Sequence, residues 1–181
     1  MRKKPKVAVL IENNYQEMEV WCPIYRLLEA GAEVSVVGPA VSKYTSKLGY
    51  PIMADIAAEA AVSEDFDLIV IPGGFAPDLM RVCKPMIGLV REAGNRGTPI
   101  AAICHGTWIM ISAGLVKNKK ATCAPSIVDD LVNAGGIYEC KEVVVDNGLI
   151  TSRNPSDIPA FMREIMRELT SRFGKEPWNL E

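Results

Sequence analysis

Pro99-Ile-Ala-Ala-Ile-Cys-His-Gly-Thr-Trp108 is the stretch on which the fold turns. Ile100 to Ile103 is a short apolar run that reads as a buried strand, and Thr107 to Ala113 reads as a helix. Only Cys104-His105-Gly106 lies between them. A strand that passes into a helix through so short a turn projects one side chain into the open, as in a nucleophile elbow, and Gly106 relieves the crowding such a turn creates. A cysteine at that point sits at a helix N-terminus, where the dipole and local N–H groups are expected to favour thiolate. His105 can assist only if the turn overrides strand alternation, which sends neighbouring side chains to opposite faces. Set against this is the ordinary fate of a free cysteine, a small buried hydrophobe.

Reading outward, the same strand-then-helix unit recurs. Lys6 to Ile11 is an apolar run ended by Asn13-Asn14. Gln16 to Ala30 follows as a helix with Met18, Trp21, Tyr25 and Leu28 on one stripe, and Gly31 is its stop. Val34 to Val37 and Leu68 to Ile71 are further buried strands, the second ended by Pro72-Gly73-Gly74. Tyr50 to Ala54 reads as a short strand and Ala57 to Ala61 as a helical turn. Met86 to Asn95 and Ser126 to Asn133 read as helices. Val143 to Val145 and Leu149 to Thr151 flank Asp146-Asn147-Gly148, a strong hairpin signal. Ile158, Phe161, Met162, Ile165, Met166 and Leu169 define a last helix, for which Ser156 or Asp157 is the expected cap. Phe173 to Glu181 reads as a tail. Apolar strands alternating with helices predict an α/β fold, a mostly parallel sheet with helices on both faces. With no linker, repeat or low-complexity tract, residues 1–181 are expected to form a single domain.

The chain has 181 residues, 49% hydrophobic and 23% charged, with a net charge of -2. That composition excludes wholesale disorder and gives no basic surface for nucleic acid or anionic membrane. The basic start Met1 to Lys6 resembles the n-region of a signal peptide, but Glu12 ends the apolar run after it too early for an h-region. No apolar stretch approaches the length of a membrane span. A soluble cytoplasmic protein is expected. The five cysteines (Cys22, Cys83, Cys104, Cys123 and Cys140) form no C-x-x-C pair, which argues against a disulfide framework and against structural zinc. His105 is the one histidine, so any Cys-His or Ser-His chemistry within one chain must use it.

In parallel sheets, sites form beyond the carboxyl ends of the strands: here Glu12 to Gln16, Pro72 to Pro77, and Cys104 to Gly106. Gly73 and Gly74 expose backbone N–H groups able to stabilise an oxyanion, or they form a plain turn. Asp78 is placed either to orient a histidine or to cap the short helix after Pro77. Glu19, on the first turn of its helix, is either a carboxylate held by the dipole or a residue that reaches back to the Cys104 sulfur as a general acid or base. In the second case burial and a nearby thiolate raise its pKa. Trp108 and Phe75 are candidates for lining the pocket.

Taken in order, these motifs resemble the ThiJ/PfpI family, within the glutaminase-like α/β proteins that include intracellular protease I, glyoxalase III and protein deglycases. The resemblance rests on Gln16-Glu-Met-Glu19 with Pro23, Pro72-Gly-Gly-Phe-Ala-Pro77, Ala102-Ile-Cys-His-Gly106 with Ile111-Ser-Ala-Gly114, Asp129-Asp130 with Asn133-Ala-Gly135, Glu142-Val-Val-Val-Asp146, and Thr151-Ser-Arg153 with Pro155. It spans nearly the whole chain, and His105 matches the PfpI branch. It implies a flavodoxin-like three-layer sandwich. Cys104 would be the nucleophile, Glu19 the carboxylate at its sulfur, His105 the second catalytic residue, and Gly73 and Gly74 the oxyanion donors. Asp78 would stand where the branch has a glutamate that approaches the histidine of a neighbouring subunit, so a homo-oligomer, dimer or hexamer, is implied. Three departures bear on substrate choice: Gln16 where a glutamate is frequent, Ala124 where a tyrosine or histidine is usual, and the shorter Asp78.

Three functions follow from this reading. The first is a cofactor-independent, metal-free enzyme for small reactive carbonyls or for glycated protein or nucleotide. The second is an intracellular cysteine peptidase that needs Asp78 as orienter. The third is a redox sensor in which Cys104 is oxidised beside Glu19.

Overall fold

The computed structural model describes residues 4–175. Five buried strands carry the core: β1 (Lys6–Leu10), β2 (Glu33–Gly38), β6 (Leu68–Ile71), β7 (Ile100–Ile103) and β11 (Leu149–Ser152). They lie in the order β11-β7-β6-β1-β2, all parallel. This is the flavodoxin-like order, in which the chain first moves outward from β1 to β2 and then reverses across β1 to β6. Two short strands extend the sheet to seven. The strand β5 (Ile56–Ala57) adds in parallel beyond β2, and β10 (Val143–Asp146) pairs antiparallel with β11.

The reversal decides the layers. A right-handed crossover from β1 to β2 places its helix on one face, and the crossovers from β6 to β7 to β11 place theirs on the other. Accordingly α1 (Glu17–Glu29) and α6 (Ile158–Phe173) pack against each other, and α3 (Lys84–Asn95) packs against α4 (Thr107–Ser112), with α2 (Ala76–Met80) and α5 (Val128–Asn133) beside α4. Covered on both faces, every residue of β6, β7 and β11 is buried. Each such Val, Leu or Ile contributes about 1.5–3 kcal/mol.

The helix stops follow the sequence reading. Gly31 takes φ 87° after α1, and the hairpin between β10 and β11 turns through Asn147 (φ 47°) and Gly148 (φ 79°). Asp157 stands at the N-cap of the last helix, as expected, but its side chain makes no capping hydrogen bond and accepts from Arg153 at 2.8 Å instead. The short turn Pro155–Asp157 just before it is capped by Asn154, whose side chain accepts from the Ser156 N–H at 3.0 Å. Ala57 to Ala61 does close one helical hydrogen bond, Ala61 N–H to Ala57 C=O, but Ile56–Ala57 belongs to the sheet. Besides β5, three further strands beyond those expected, β3 (Lys43–Thr45), β8 (Lys120–Ala121) and β9 (Ile137–Tyr138), are two or three residues long. The first pairs with β4 (Pro51–Met53), and β8 pairs with β9. Phe173 ends α6 and packs on the core. The rest of the expected tail beyond residue 175, and Met1 to Lys3, lie outside the described residues. No helix among the described residues is long and apolar enough to cross a membrane.

Candidate active site

Three loops meet at the carboxyl ends of β1, β6 and β7. After β1, Asn14 reverses the chain at φ 64°, and Tyr15 forms an antiparallel bridge with Gly74. That bridge ties the first loop to the Pro72-Gly73-Gly74 loop. Gln16 then caps α1, its side-chain oxygen accepting from the N–H groups of Met18 at 2.6 Å and Glu19 at 3.3 Å. Its place is structural, so its neutrality changes the charge of the region and not the architecture.

The cap fixes Glu19 in the first turn with its side chain fully buried. Glu19 Oε2 accepts from the Gly73 N–H at 2.7 Å, whereas Oε1 has no hydrogen-bond partner. Burial raises the carboxyl pKa to about 7, offset in part by the Gly73 N–H and the Cys104 thiol. Gly73 sits between the two groups: a Cβ built on it would meet Cys104 Cβ and Glu19 Oε2, each at 2.7 Å. The Gly73 amide, expected as an oxyanion donor, is thus engaged in holding the carboxylate. The amides directed at the Cys104 sulfur are those of Gly74 and His105.

Cys104 takes φ 62°, the left-handed conformation of a strained elbow. The turn fits only because residue 106 is glycine, since a Cβ there would lie 2.4 Å from the Ile71 carbonyl oxygen. The thiol does not follow the sequence expectation of an easily formed thiolate. Burial, followed by the Glu19 charge, pushes it up to about 11, against the pull of the two amides. The short helix α4 begins only at Thr107, so its dipole is too small to reverse these effects. At neutral pH the sulfur therefore keeps its proton until a base removes it.

The elbow does defeat strand alternation. His105 Nδ1 lies 3.3 Å from Cys104 Sγ, and Nε2 lies 3.0 Å from Ser126 Oγ. The imidazole is half-buried, and burial lowers its pKa. Trp108 packs edge-on against it at 5.1 Å between centroids. The indole N–H donates to Asp130 at 2.8 Å, and the Arg81 guanidinium lies over the ring. Ser126 and the role of Asp130 escape the sequence reading. Ser126 reads there as the start of a helix, although its place after Ala124-Pro125 was available as a signal. Ala124 is buried, and its N–H donates to the Cys104 carbonyl at 3.2 Å, so this loop is pinned to the elbow itself.

Two sequence candidates stand apart. Asp78 is exposed on α2, and its side chain has no hydrogen bond or ion pair among the described residues. Phe75 is 68% exposed. Cys123 is near Cys104 but fully buried, and burial raises its thiol to about 12. Among the described residues no three His, Cys, Asp or Glu side chains gather as metal ligands.

Comparison with known proteins adds the following. The model of the DJ-1/PfpI family matches residues 5–168. A protein named Deglycase PH1704 from Pyrococcus horikoshii is 38% identical over 164 residues, covering 91% of this chain and 99% of its own. A Bacillus subtilis protein named putative cysteine protease YraA is 37% identical, covering 91% and 98%. Among solved structures, a two-domain Anabaena variabilis protein with DJ-1/ThiJ/PfpI-like and ferritin-like domains superposes with a TM-score of 0.91 at 40% identity. It covers 95% of this chain, which spans about half (49%) of that protein's length.

Proposed function

Because this chain belongs to the DJ-1/PfpI family, we propose that it is a cofactor-independent, cysteine-dependent enzyme acting on reactive carbonyls, with 2-oxoaldehydes and early glycation adducts of protein or nucleotide as substrates. The observation that carries this reading is Glu19: a buried carboxyl at the sulfur, held by one oxygen, with the other uncommitted and a pKa near 7. A group of that kind is suited to moving a proton between adjacent carbons at neutral pH.

For methylglyoxal the steps are these. His105 Nδ1 takes the thiol proton as Cys104 Sγ bonds to the aldehyde carbon. The aldehyde oxygen then takes the proton back, giving a hemithioacetal. The Gly74 and His105 amides are the donors for the transient oxyanion. Glu19 Oε1 removes the proton from the thioacetal carbon, giving an enediol as the thioacetal hydroxyl proton passes to the neighbouring ketone oxygen, and then delivers the carbon-bound proton to the adjacent carbon, converting hydroxyketone to the thioester of a 2-hydroxy acid. Water cleaves the thioester and restores the thiol, so the net reaction is oxoaldehyde plus water to lactate. On a glycated amine, the thiol displaces the amine from the hemiaminal carbon and the same sequence follows. One nucleophile, one proton carrier and backbone donors suffice. The five unpaired thiols suit a reducing compartment, and we place the protein in the cytoplasm.

The test is lactate formation from methylglyoxal by wild type beside Cys104→Ala, with no added thiol or metal. We expect turnover in the wild type and a loss of at least about 10³-fold in the variant. A wild type with no turnover on methylglyoxal or on glycated amines would sink the reading.

A further inference from the structure

We propose that the cleft between α3 and the C-terminal end of α4 is a phosphate-binding site, built from Arg81, Lys84, Arg91 and Ser112 and joined to the active site through Arg81. The site is read from geometry and charge; its use in turnover rests on the carbonyl-enzyme reading above.

The cleft holds about 280 Å³ and is lined by Arg81, Lys84, Ile87, Arg91 and Ser112. Three of these five carry a positive charge and none a negative one, in a chain whose net charge is -2. Lys84, Ile87 and Arg91 share one stripe of α3, with Ile87 buried between the two exposed charges. Arg81 is the residue that closes α2, and Ser112 is the last of α4. Of the eight described arginines, five are ion-paired with a carboxylate. Two of the other three, Arg81 and Arg91, line this cleft, and Lys84 too has no ion pair among the described residues.

The charge in this cleft is held in place without being neutralised. Arg91 donates from Nε to the Ala113 carbonyl at 3.2 Å and from Nη2 to the Ser112 carbonyl at 3.3 Å, both at the end of α4. The Arg81 guanidinium lies 5.2 Å from the centroid of the Trp108 ring, and the indole is fixed by its N–H to Asp130. Carbonyl oxygens and a ring face orient the two forks but leave their charge in place, so little freedom is lost when an anion arrives. Lys84 adds a local conflict. A cation in the first turn opposes the dipole of a 12-residue helix, and that turn has neither an acid nor a side-chain cap. A bound anion relieves every one of these repulsions. One carboxylate would leave two of the three charges unmatched, whereas two guanidinium forks, an ammonium and a hydroxyl suit the several oxygens of a phosphate or diphosphate. Arg81 makes the connection to the chemistry: the indole it lies over packs on His105 at 5.1 Å, so a phosphate drawn to Arg81 lies one ring away from the histidine of the site.

Calorimetric titration of inorganic pyrophosphate into the full chain at low salt tests the site. We expect saturable binding, weakened about 10- to 100-fold in Lys84→Glu and in Arg91→Gln, the range of one hydrogen bond to a charged group. The Lys84 side chain is exposed, so its variant spares the fold even if Arg91→Gln, which uncovers the end of α4, does not. Arg163→Glu makes the same change of charge on α6, in the opposite helical layer, and should bind as wild type does. No saturation in the wild type, or equal weakening by Arg163→Glu, would overturn the proposal. Turnover then identifies the source of the phosphate. A preference for the methylglyoxal adduct of guanosine 5′-diphosphate over that of guanosine, lost in Lys84→Glu, assigns it to the substrate. Equal rates on the two adducts, with a KM for methylglyoxal that pyrophosphate shifts only while Lys84 is in place, assign it to a separate effector. Turnover insensitive to both would overturn the link through Arg81 and leave an adventitious anion only. A wild type that binds pyrophosphate and turns over no carbonyl would overturn the carbonyl-enzyme reading and leave the phosphate site standing.

Discussion

Two turns of this chain make opposite use of the left-handed backbone region. The hairpin between β10 and β11 passes through Asn147 and Gly148, residue types that enter that region at little cost. The elbow after β7 forces Cys104 into it. Among the described residues, four that are not glycine have φ in this range, and three of them are asparagines: Asn14, Asn118 and Asn147. Cys104 is the fourth. At the hairpin, local preference and global fold agree. At the elbow they conflict, and a second conflict lies against it in the buried carboxyl of Glu19. Both unfavourable features are gathered where three loops hold them, which is how strain persists in a fold and why it points to chemistry.

The comparison breaks first, and most widely, at Glu19. Its folded pKa, about 7, lies above the ordinary carboxyl value of 4.5, so the folded state binds the proton more tightly. The stability this gives is present below pH 4.5 and is lost as pH rises through 7. Glu19→Gln cannot ionise and should be more stable than wild type above pH 7, by up to about 3 kcal/mol, with the advantage gone near pH 4. The same change removes the proton carrier and should lower kcat by about 10²–10⁴. Denaturant unfolding at pH 4 and 8, beside kcat for both proteins, reads the two signs. An active Glu19→Gln would place the chemistry elsewhere.

A pair of glycines sharpens the contrast. Gly73→Ala puts a methyl against Cys104 Cβ and Glu19 Oε2 at 2.7 Å, and displacing reacting groups by such an amount is expected to cost about 10² in kcat/KM. Gly148→Ala meets nothing closer than Pro99 at 3.9 Å, and its difficulty is φ alone. It should destabilise the fold by about 1–2 kcal/mol and leave kcat unchanged. Equal kinetic effects from the two substitutions would mean that the site has no tighter tolerance than the hairpin.

The same division explains what could be read from the sequence. β1, β6, β7 and β11 are apolar because both faces of the sheet are covered, so a run of aliphatics suffices to find them. The hairpin declares itself through Asp146-Asn147-Gly148. Cys104 was legible as a residue at a strand end and Glu19 as one on the first turn of the helix that follows another, but their electrostatics were not. The thiol was expected to ionise easily, and only the packing shows that burial and the neighbouring carboxyl outweigh the helix terminus. Ser126 was invisible as a partner of His105 because the two lie 21 positions apart and are brought together by one backbone bond, Ala124 N–H to Cys104 C=O, which no periodicity encodes. The strands β3, β5, β8 and β9 are too short to carry a pattern.

The smallest expected effect bears most directly on whether the elbow stores strain. If Cys104 is held against its backbone preference, glycine at 104 should fit better than alanine, even though glycine normally weakens a fold. Relief of the left-handed conformation is worth about 1–2 kcal/mol, and the added freedom of the unfolded chain takes back about 0.4–1 kcal/mol. Cys104→Gly should therefore exceed Cys104→Ala in stability by about 0.5–1 kcal/mol, both being inactive. At the hairpin, Asn147→Gly should gain almost nothing, because asparagine already tolerates φ 47°. Denaturant midpoints for the three variants decide the matter. If glycine and alanine at 104 are equally stable, the positive φ there carries no strain and the elbow differs from the hairpin only in what it presents. If glycine is the more stable, the wild-type cysteine is kept in place by the surrounding loops against its own local preference.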